Sequence, residues 1–220
     1  MDPHACLSKA TKLTRCERAA CVRQHWLAIT KSLGIDCGCA SAQLPANEWA
    51  ILDVGCGTGL SAAPLRGAAL VMAGCDVSEN MCQVARRKGL YATVAHADAA
   101  GFLRSNGAHS ADLVVAGDVV PFIKDLAPLF AAAAHVLKPG ARFAFTTEED
   151  MQEEGGEEAM LPMLNSKARF CHAEAYVRRE AEALGLSVLV ADGVTLHKQA
   201  RDAKVVPGRV YVLQTPAAAA

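Results

Sequence analysis

The sequence is poor in several features that mark particular classes of protein. Aromatic residues make up only 5% of the 220 residues, too few for a surface that binds single-stranded nucleic acid by base stacking. The net charge is -1, from 22 basic and 23 acidic side chains, which argues against electrostatically driven nucleic-acid binding. No apolar run reaches the roughly 18–20 residues of a membrane span. We therefore expect no nucleic-acid partner and no membrane partner.

The nine cysteines form no evident disulfide pattern. Their number is odd, and a chain of this length buries a core without disulfide support. Cys56, Cys75 and Cys82 lie in apolar or glycine-rich segments, where cysteine acts as a small hydrophobe. Cys37-Gly-Cys39 is a weak metal signal, because no second, well-spaced pair accompanies it. We expect a reducing, cytoplasmic location and no bound metal.

The first 45 residues differ in composition from the rest of the chain. Residues 1–31 contain six Lys or Arg but only two acids, a bias that is typical of organelle transit peptides. The alternative is a surface helix from about Glu17 to Leu33. We predict that residues 1–45 form an N-terminal extension or helix, with organellar targeting as the alternative role, and that the main domain spans residues 46–216.

From Trp49 onward, short apolar runs alternate with helical patterns. The runs predict strands near residues 50–54, 70–75, 92–97, 112–116 and 141–146, with helices near 60–66, 78–88, 99–105 and 126–137. The helix from Ser78 is expected to turn Met81, Val84 and Ala85 towards the core. Strands and helices that alternate at this spacing predict βαβ units and a parallel, doubly wound sheet.

The C-terminal part departs from simple alternation. A helix near 173–184 is followed by two strands, near 186–191 (with an extension through Leu196 as an alternative) and 209–213. Pro207-Gly208 and a polar loop join them without room for a helix, which predicts an antiparallel hairpin. The predicted fold class is α/β, a Rossmann-like doubly wound seven-stranded sheet, mostly parallel, with this hairpin at its end. The acidic segment 148–166 is predicted to be an insertion over the site.

A glycine-rich turn follows the first predicted strand. Its sequence is Asp53-Val-Gly55-Cys-Gly57-Thr-Gly59, at the place where such sheets bind nucleotide-bearing ligands. The dinucleotide fingerprint is G-x-G-x-x-G, and here the third glycine arrives one residue early. A nicotinamide oxidoreductase is therefore disfavoured. A carboxylate at Asp53 suits an amino group or another cation better than a pyrophosphate.

Acidic side chains also follow the other predicted parallel strands. Asp76 ends the second strand, Asp98 ends the third and Asp118 lies just beyond the fourth. A carboxylate in the place of Asp76 accepts hydrogen bonds from ribose hydroxyls, and we expect Asp98 to meet the amino edge of an adenine. Each aspartate taken alone is also explained as a helix cap or a turn residue. The four together predict a ligand site at one edge of the sheet.

These segments resemble the successive motifs of class I S-adenosylmethionine-dependent methyltransferases. The resemblance rests on Ile51–Gly59, Asp76–Met81, Ala97-Asp98, Asp112–Asp118 and Leu137-Lys-Pro-Gly140. It implies the fold predicted above, with S-adenosylmethionine as cofactor. The cofactor-binding residues that it implies are Asp53, Gly55, Cys56, Gly57, Gly59, Asp76, Val77, Met81, Asp98, Ala99 and Asp118.

A second resemblance covers the C-terminal part of the chain. Arg169-Phe-Cys-His172, Ala175-Tyr-Val177 and Val206-Pro-Gly208 look like the end of the methyltransferase domain found in some tetratricopeptide-repeat proteins; the repeats themselves are absent. The implied reaction is methyl transfer to a small-molecule or protein acceptor, with Asp118 and His172 as candidate catalytic residues. The alternative is a catalytically silent cofactor-binding domain that acts in assembly or regulation. The acceptor and the oligomeric state are left open.

Overall fold

A nine-stranded sheet forms the centre of the protein in the computed structural model, which describes residues 29–30, 33, 48–149, 162–164, 169–198 and 205–218. The strands are β1 (Trp49–Val54), β2 (Ala69–Asp76), β3 (Thr93–His96), β4 (Ala111–Ala116), β5 (Leu137–Glu148), β6 (Met163–Leu164), β7 (Phe170–Cys171), β8 (Ser187–Lys198) and β9 (Val205–Gln214). The helices are α1 (Ala62–Leu65), α2 (Glu79–Arg87), α3 (Ala99–Ser105), α4 (Ala127–Val136) and α5 (Glu174–Glu182), and Val120–Phe122 forms a 3-10 turn.

The strand order confirms the predicted fold class. The parallel part of the sheet runs β3-β2-β1-β4-β5, so that β1 lies between two parallel neighbours. β9 then pairs antiparallel with both β5 and β8. The carboxyl ends of β1 to β5 therefore meet at one edge of the sheet, where the predicted site residues lie.

The sheet departs from the prediction in its shorter strands and in its strand ends. β6 and β7 were not predicted, because two residues carry no periodic pattern. β5 begins directly after α4 at Leu137, not at residue 141. β8 extends through Leu196 to Lys198, as the longer alternative predicted.

Pro207 and Gly208 lie inside β9, not in a connecting loop. The pairing with β5 reaches its end there: the Pro207 carbonyl accepts the N–H of Glu149, the residue that follows β5, at 3.1 Å, so the missing N–H of Pro207 falls at the end of this ladder and not within it. At Gly208 a Cβ would lie 2.3 Å from both the Thr147 carbonyl oxygen and a Leu196 side-chain carbon. Glycine thus permits the close approach of the three strands.

Both faces of the sheet are buried, as the continuous apolar runs predicted. Along β4, Leu113 and Val115 pack on one face while Val114 and Ala116 pack on the other. Helices α3, α4 and α5 cover the second face, where Phe130, Phe143, Phe145 and Tyr211 form a cluster of rings. Since β1 lies in the middle of this core, the turn that follows it starts from a well-supported strand.

Part of the predicted N-terminal extension belongs to the same core. Ile29 and Leu33 are buried beside Ile51 and Leu65, so the boundary predicted at residues 45–46 does not separate these two side chains from the domain. The rest of the predicted helix, the Cys37-Gly-Cys39 segment and most of the predicted insertion lie outside the described residues. Within the described part of the chain, no helix has the length and apolarity needed to cross a bilayer.

Candidate cofactor site

The turn after β1 carries three glycines with left-handed backbone torsions. The φ angles of Gly55, Gly57 and Gly59 are +64°, +54° and +74°, a region that glycine enters without steric cost. A Cβ at Gly55 would lie 2.1 Å from a Val119 methyl carbon. The turn after β1 is therefore packed tightly against the segment after β4.

Among the described residues, Gly57 faces open space and is held by Asp76. Apart from its chain neighbours, no atom of the described residues lies within 4 Å of the position where a Cβ of Gly57 would be. Its backbone N–H donates to Asp76 Oδ2 at 2.9 Å, and the Ser78 N–H donates to Asp76 Oδ1 at 2.8 Å. Each carboxylate oxygen keeps a second lone pair. Asp76 thus ties the turns after β1 and β2 together beside a space that can receive a ligand.

Apolar side chains flank Asp76 on the solvent side. Val77 is 73% exposed and Met81 is 43% exposed, which leaves an apolar surface beside the carboxylate that suits a flat heterocycle. The prediction that Met81 packs in the core is wrong. In α2 the buried side chains are Cys82 and Ala85. The prediction failed for Met81 because the sequence pattern did not show which side of the helix meets the sheet.

Asp98 caps α3. Its Oδ1 accepts the Gly101 N–H at 2.8 Å, which satisfies one of the free donors at the helix start. Ala99 is the first residue of the helix and is half-buried. The cap occupies Asp98 Oδ1, and contact with an adenine stays a prediction.

Asp53 is fully buried behind the glycine turn. Its Oδ2 accepts the hydroxyls of Ser61 and Tyr91, the latter at 2.5 Å, and the two hydroxyl oxygens are 3.0 Å apart. Oδ1 has no hydrogen-bond partner among the described residues. Burial raises the pKa of Asp53 to about 6, although the bonds from Ser61 and Tyr91 lower it; the negative charge of Asp76 adds to the rise.

Ser61 and Tyr91 were missed by sequence reasoning. Ser61 follows the last motif glycine by two residues and Tyr91 lies outside every motif, and nothing in the local pattern distinguishes them from helix-start and loop residues. Cys56 was predicted at the ligand, but its side chain is 5% exposed and packs against Gly74. Only its backbone belongs to the turn, where its N–H donates to the Cys75 carbonyl at 2.8 Å.

The carboxyl ends of β4 and β5 carry a second charged cluster. Asp118, with a left-handed φ of 59°, and Glu148 both pair with Arg169. The Arg169 guanidinium also lies over the Phe122 ring, 4.6 Å from its centroid. Glu148 is 1% exposed, whereas Phe122 is 63% exposed. This edge therefore combines an open aromatic surface with a cluster of two acids and one arginine.

No role was predicted for Arg169, although this residue begins the motif Arg169-Phe-Cys-His172. Its partners, Asp118 and Glu148, are 51 and 21 residues away in sequence, and no spacing rule connects Arg169 to the ends of two strands. The register of β7 against β5 makes the contact, since Cys171 pairs with Glu148.

His172 is buried next to the same edge. Its side chain is 1% exposed, Nε2 lies 3.3 Å from the Lys124 carbonyl oxygen, and Nδ1 has no partner within the part of the chain that the structure describes. Burial lowers the pKa of His172, which favours the neutral ring. With Nε2 protonated towards the carbonyl, the free lone pair is on Nδ1. The role of base stays a prediction.

Comparison with known proteins agrees with this arrangement. Residues 52–145 match the model of a family described as a methyltransferase domain. No curated relative matches the chain significantly. A SAM-dependent methyltransferase from Methanosarcina mazei is 16% identical with a TM-score of 0.60, over 79% of this chain and 95% of that chain.

Two further solved structures resemble this fold. The Burkholderia thailandensis 1,6-didemethyltoxoflavin-N1-methyltransferase, which holds 1,6-didemethyltoxoflavin and S-adenosylhomocysteine, is 16% identical with a TM-score of 0.62, over 90% of this chain and 79% of that chain. The [4+2]-cyclase SpnF is 15% identical with a TM-score of 0.64, over 89% of this chain and 82% of that chain.

The cofactor implied by the fold fits the residues present. Three features suit a nucleoside that also bears an amino group. They are the space in front of Gly57, the Asp76 carboxylate at the end of β2, and Asp53 Oδ1, which has no hydrogen-bond partner among the described residues. The match of residues 52–145 to a methyltransferase domain, together with a fold shared with SAM-dependent methyltransferases, supports a class I S-adenosylmethionine-dependent methyltransferase with S-adenosylmethionine as cofactor.

Proposed function

We propose that this protein transfers a methyl group from S-adenosylmethionine to a nucleophilic atom of a small-molecule or protein acceptor. The observation that carries the proposal is the contact of Asp76 with the Gly57 N–H beside open space. When bound, the cofactor supplies a methyl group that is already activated on a sulfonium sulfur. The protein then has to align donor and acceptor and to exclude water.

In this proposal the residues at β1 to β3 hold the cofactor. The free lone pairs of Asp76 accept the ribose hydroxyls, Val77 and Met81 contact the base, and Asp98 and Ala99 border its edge. The three glycines bring the backbone of the turn close to the amino-acid part of the cofactor. Asp53 supplies negative charge behind that turn and favours an ammonium group.

We propose that the acceptor lies against the ends of β4 and β5. Asp118 is the better candidate for contact with the acceptor, because 26% of its side chain is exposed while the His172 ring is almost fully buried. Phe122 offers an aromatic surface beside it. His172 is supported as a positioning residue, since its ring fills the space between the Lys124 carbonyl and Tyr176.

A variant pair tests the role of His172. If His172 is a base, His172→Ala lowers turnover by about 10²–10⁴ without changing cofactor affinity. If it positions the segment around Lys124, His172→Gln, whose amide can still donate to that carbonyl, retains most of the turnover and of the thermal stability. The neighbouring Cys171→Ser is the control for disturbance of β7.

Turnover is the property that separates methyl transfer from the catalytically silent alternative. The purified chain is incubated with radiolabelled S-adenosylmethionine and fractionated extract, and the labelled product is identified. Binding of the cofactor by calorimetry without any labelled product would support the silent domain. Absence of binding to either S-adenosylmethionine or S-adenosylhomocysteine would overturn the proposal.

We also propose a reducing, cytoplasmic location. Support comes from Cys56, Cys75 and Cys82, which are buried and form no disulfide among the described residues.

A further inference from the structure

Tyr91 connects four separate parts of the cofactor site through one side chain. It lies in the loop between α2 and β3, away from every motif of the family resemblance. Its hydroxyl donates to Asp53 at the end of β1 and lies 3.0 Å from the Ser61 hydroxyl, which immediately precedes α1. The hydroxyl end of Tyr91 thus meets the strand before the glycine turn and the helix after it.

The ring of Tyr91 fills the space left by two glycines. A Cβ at Gly59 would lie 3.0 Å from Tyr91 Cε2, and a Cβ at Gly74 would lie 3.1 Å from Cε1. Such separations are closer than carbon atoms normally approach, so a larger residue at either position would displace the ring. Tyr91 therefore supports the end of the glycine turn against β2.

The groups around Asp53 make its charge depend on these hydroxyls. Burial raises the pKa values of Tyr91, Cys56 and Cys75, so all three stay neutral near pH 7. Among the described residues, the charge that acts on Asp53 is that of Asp76, which disfavours ionisation of Asp53. The hydroxyls of Ser61 and Tyr91 donate hydrogen bonds to Asp53 and so stabilise its carboxylate form.

From this geometry we propose that Tyr91, with Ser61, is a positioning residue for cofactor binding: its hydroxyl holds Asp53 as a carboxylate, and its ring sets the shape of the turn from Gly55 to Gly59. The inference rests on the proposed binding of S-adenosylmethionine in front of that turn. It adds a residue outside the family motifs and predicts how affinity changes with pH. Protonation of Asp53 removes negative charge near the cofactor's ammonium group and so weakens binding.

The test compares Tyr91→Phe, which removes only the hydroxyl, with the wild type and with Tyr211→Phe. Tyr211 is the control, because it is a buried tyrosine whose hydroxyl has no hydrogen-bond partner within the described residues, whereas the half-buried Tyr91 uses its hydroxyl at Asp53. Calorimetry with S-adenosylmethionine is run from pH 5 to pH 8, and thermal melting shows that each variant is folded. Ser61→Ala is the second variant, since it leaves the tyrosine ring untouched.

For Tyr91→Phe we expect Kd to rise at least about fivefold at pH 7, from loss of a hydrogen bond to a charged group. Affinity should fall as the pH is lowered and Asp53 becomes protonated. The midpoint of this fall should lie at higher pH in Tyr91→Phe, because the hydroxyl that lowers the pKa of Asp53 is missing. Ser61→Ala should shift it in the same direction, and Tyr211→Phe should leave both quantities unchanged.

Two results overturn the inference while leaving cofactor binding itself established. One is wild-type affinity in both Tyr91→Phe and Ser61→Ala at every pH. The other is an equal loss at every pH without movement of the midpoint, which would assign Tyr91 to packing alone. If the wild type binds no cofactor, the proposed function has failed, and the inference is overturned with it.

Discussion

The two halves of the site edge are built differently. At the ends of β1 to β3, the aspartates accept hydrogen bonds from backbone N–H groups and hydroxyls, as Asp76 does from Gly57 and Ser78. At the ends of β4 and β5, Asp118 and Glu148 share one guanidinium from a residue far along the chain. The first half is formed mainly by turns that belong to motifs, whereas the second depends on long-range ion pairs.

This difference has a functional consequence under the proposed methyl transfer. A cofactor common to a family needs the same turn geometry in each member, and hydrogen bonds between the turns can supply it. An acceptor differs between members, and side chains from irregular segments can vary without disturbing the turns. Substitutions should therefore separate cofactor affinity from acceptor use.

The largest effect is expected for Arg169→Ala at the β4–β5 edge. Loss of the guanidinium leaves the buried Glu148 without this partner, and unfolding free energy should fall by about 3 kcal/mol. Turnover should fall while the cofactor Kd stays within about twofold. Chemical denaturation and calorimetry measure the two quantities.

The surface arginine Arg178 supplies the control. It pairs with Glu174 one helical turn away and is 44% exposed, so Arg178→Ala should change stability by less than about 0.5 kcal/mol. A similar small change in Arg169→Ala would contradict the importance of the long-range cluster.

Asp53→Asn should alter how stability depends on pH. The folded-state pKa of about 6 lies above the ordinary value of 3.8. The contribution of Asp53 to the free energy of unfolding is therefore fully present below about pH 4, falls as the pH rises to about 6 and is constant above that. The fall is about 2–3 kcal/mol. Asparagine has no such titration, and denaturation at several pH values should show a flatter curve. An unchanged curve would mean that another group titrates.

Asp76→Ala should weaken S-adenosylmethionine binding by at least about tenfold, because the substitution removes both the proposed contact with the ribose and the acceptor that holds the Gly57 N–H. Asp112→Ala is a matched control. Asp112 also accepts a backbone N–H at 2.9 Å, from Ala50, but lies near the opposite end of β4. Equal affinities for the two variants by calorimetry would sink the assignment of Asp76.

The smallest effect on affinity is expected for Asp98→Ala, about threefold, since one of its oxygens is already engaged in the cap of α3. Loss of that cap should cost about 1 kcal/mol of stability. Thermal melting and calorimetry separate the two effects. A loss of affinity as large as that of Asp76→Ala would place Asp98 in direct contact with the base.

Local sequence patterns predicted much of the fold and of the site at the ends of β1 to β3. Apolar runs ended by glycine or aspartate predict buried parallel strands, and the glycine spacing at Gly55, Gly57 and Gly59 separates this turn from a dinucleotide site. Such features act within a few residues of the chain, so a single sequence displays them. The hairpin followed from the same reasoning, because too few residues separate its strands for a helix.

Tertiary structure decided which side chains from distant segments meet. Tyr91 reaches Asp53 across 38 positions, and Arg169 reaches Asp118 across 51. The contacts depend on strand register, including that of β7 against β5, and on the space that Gly59 and Gly74 leave. The sequence by itself determined the sheet, the turn and the aspartates at the strand ends. Packing between distant elements determined which of these aspartates are buried and paired, because burial and ion pairing are properties of the assembled core.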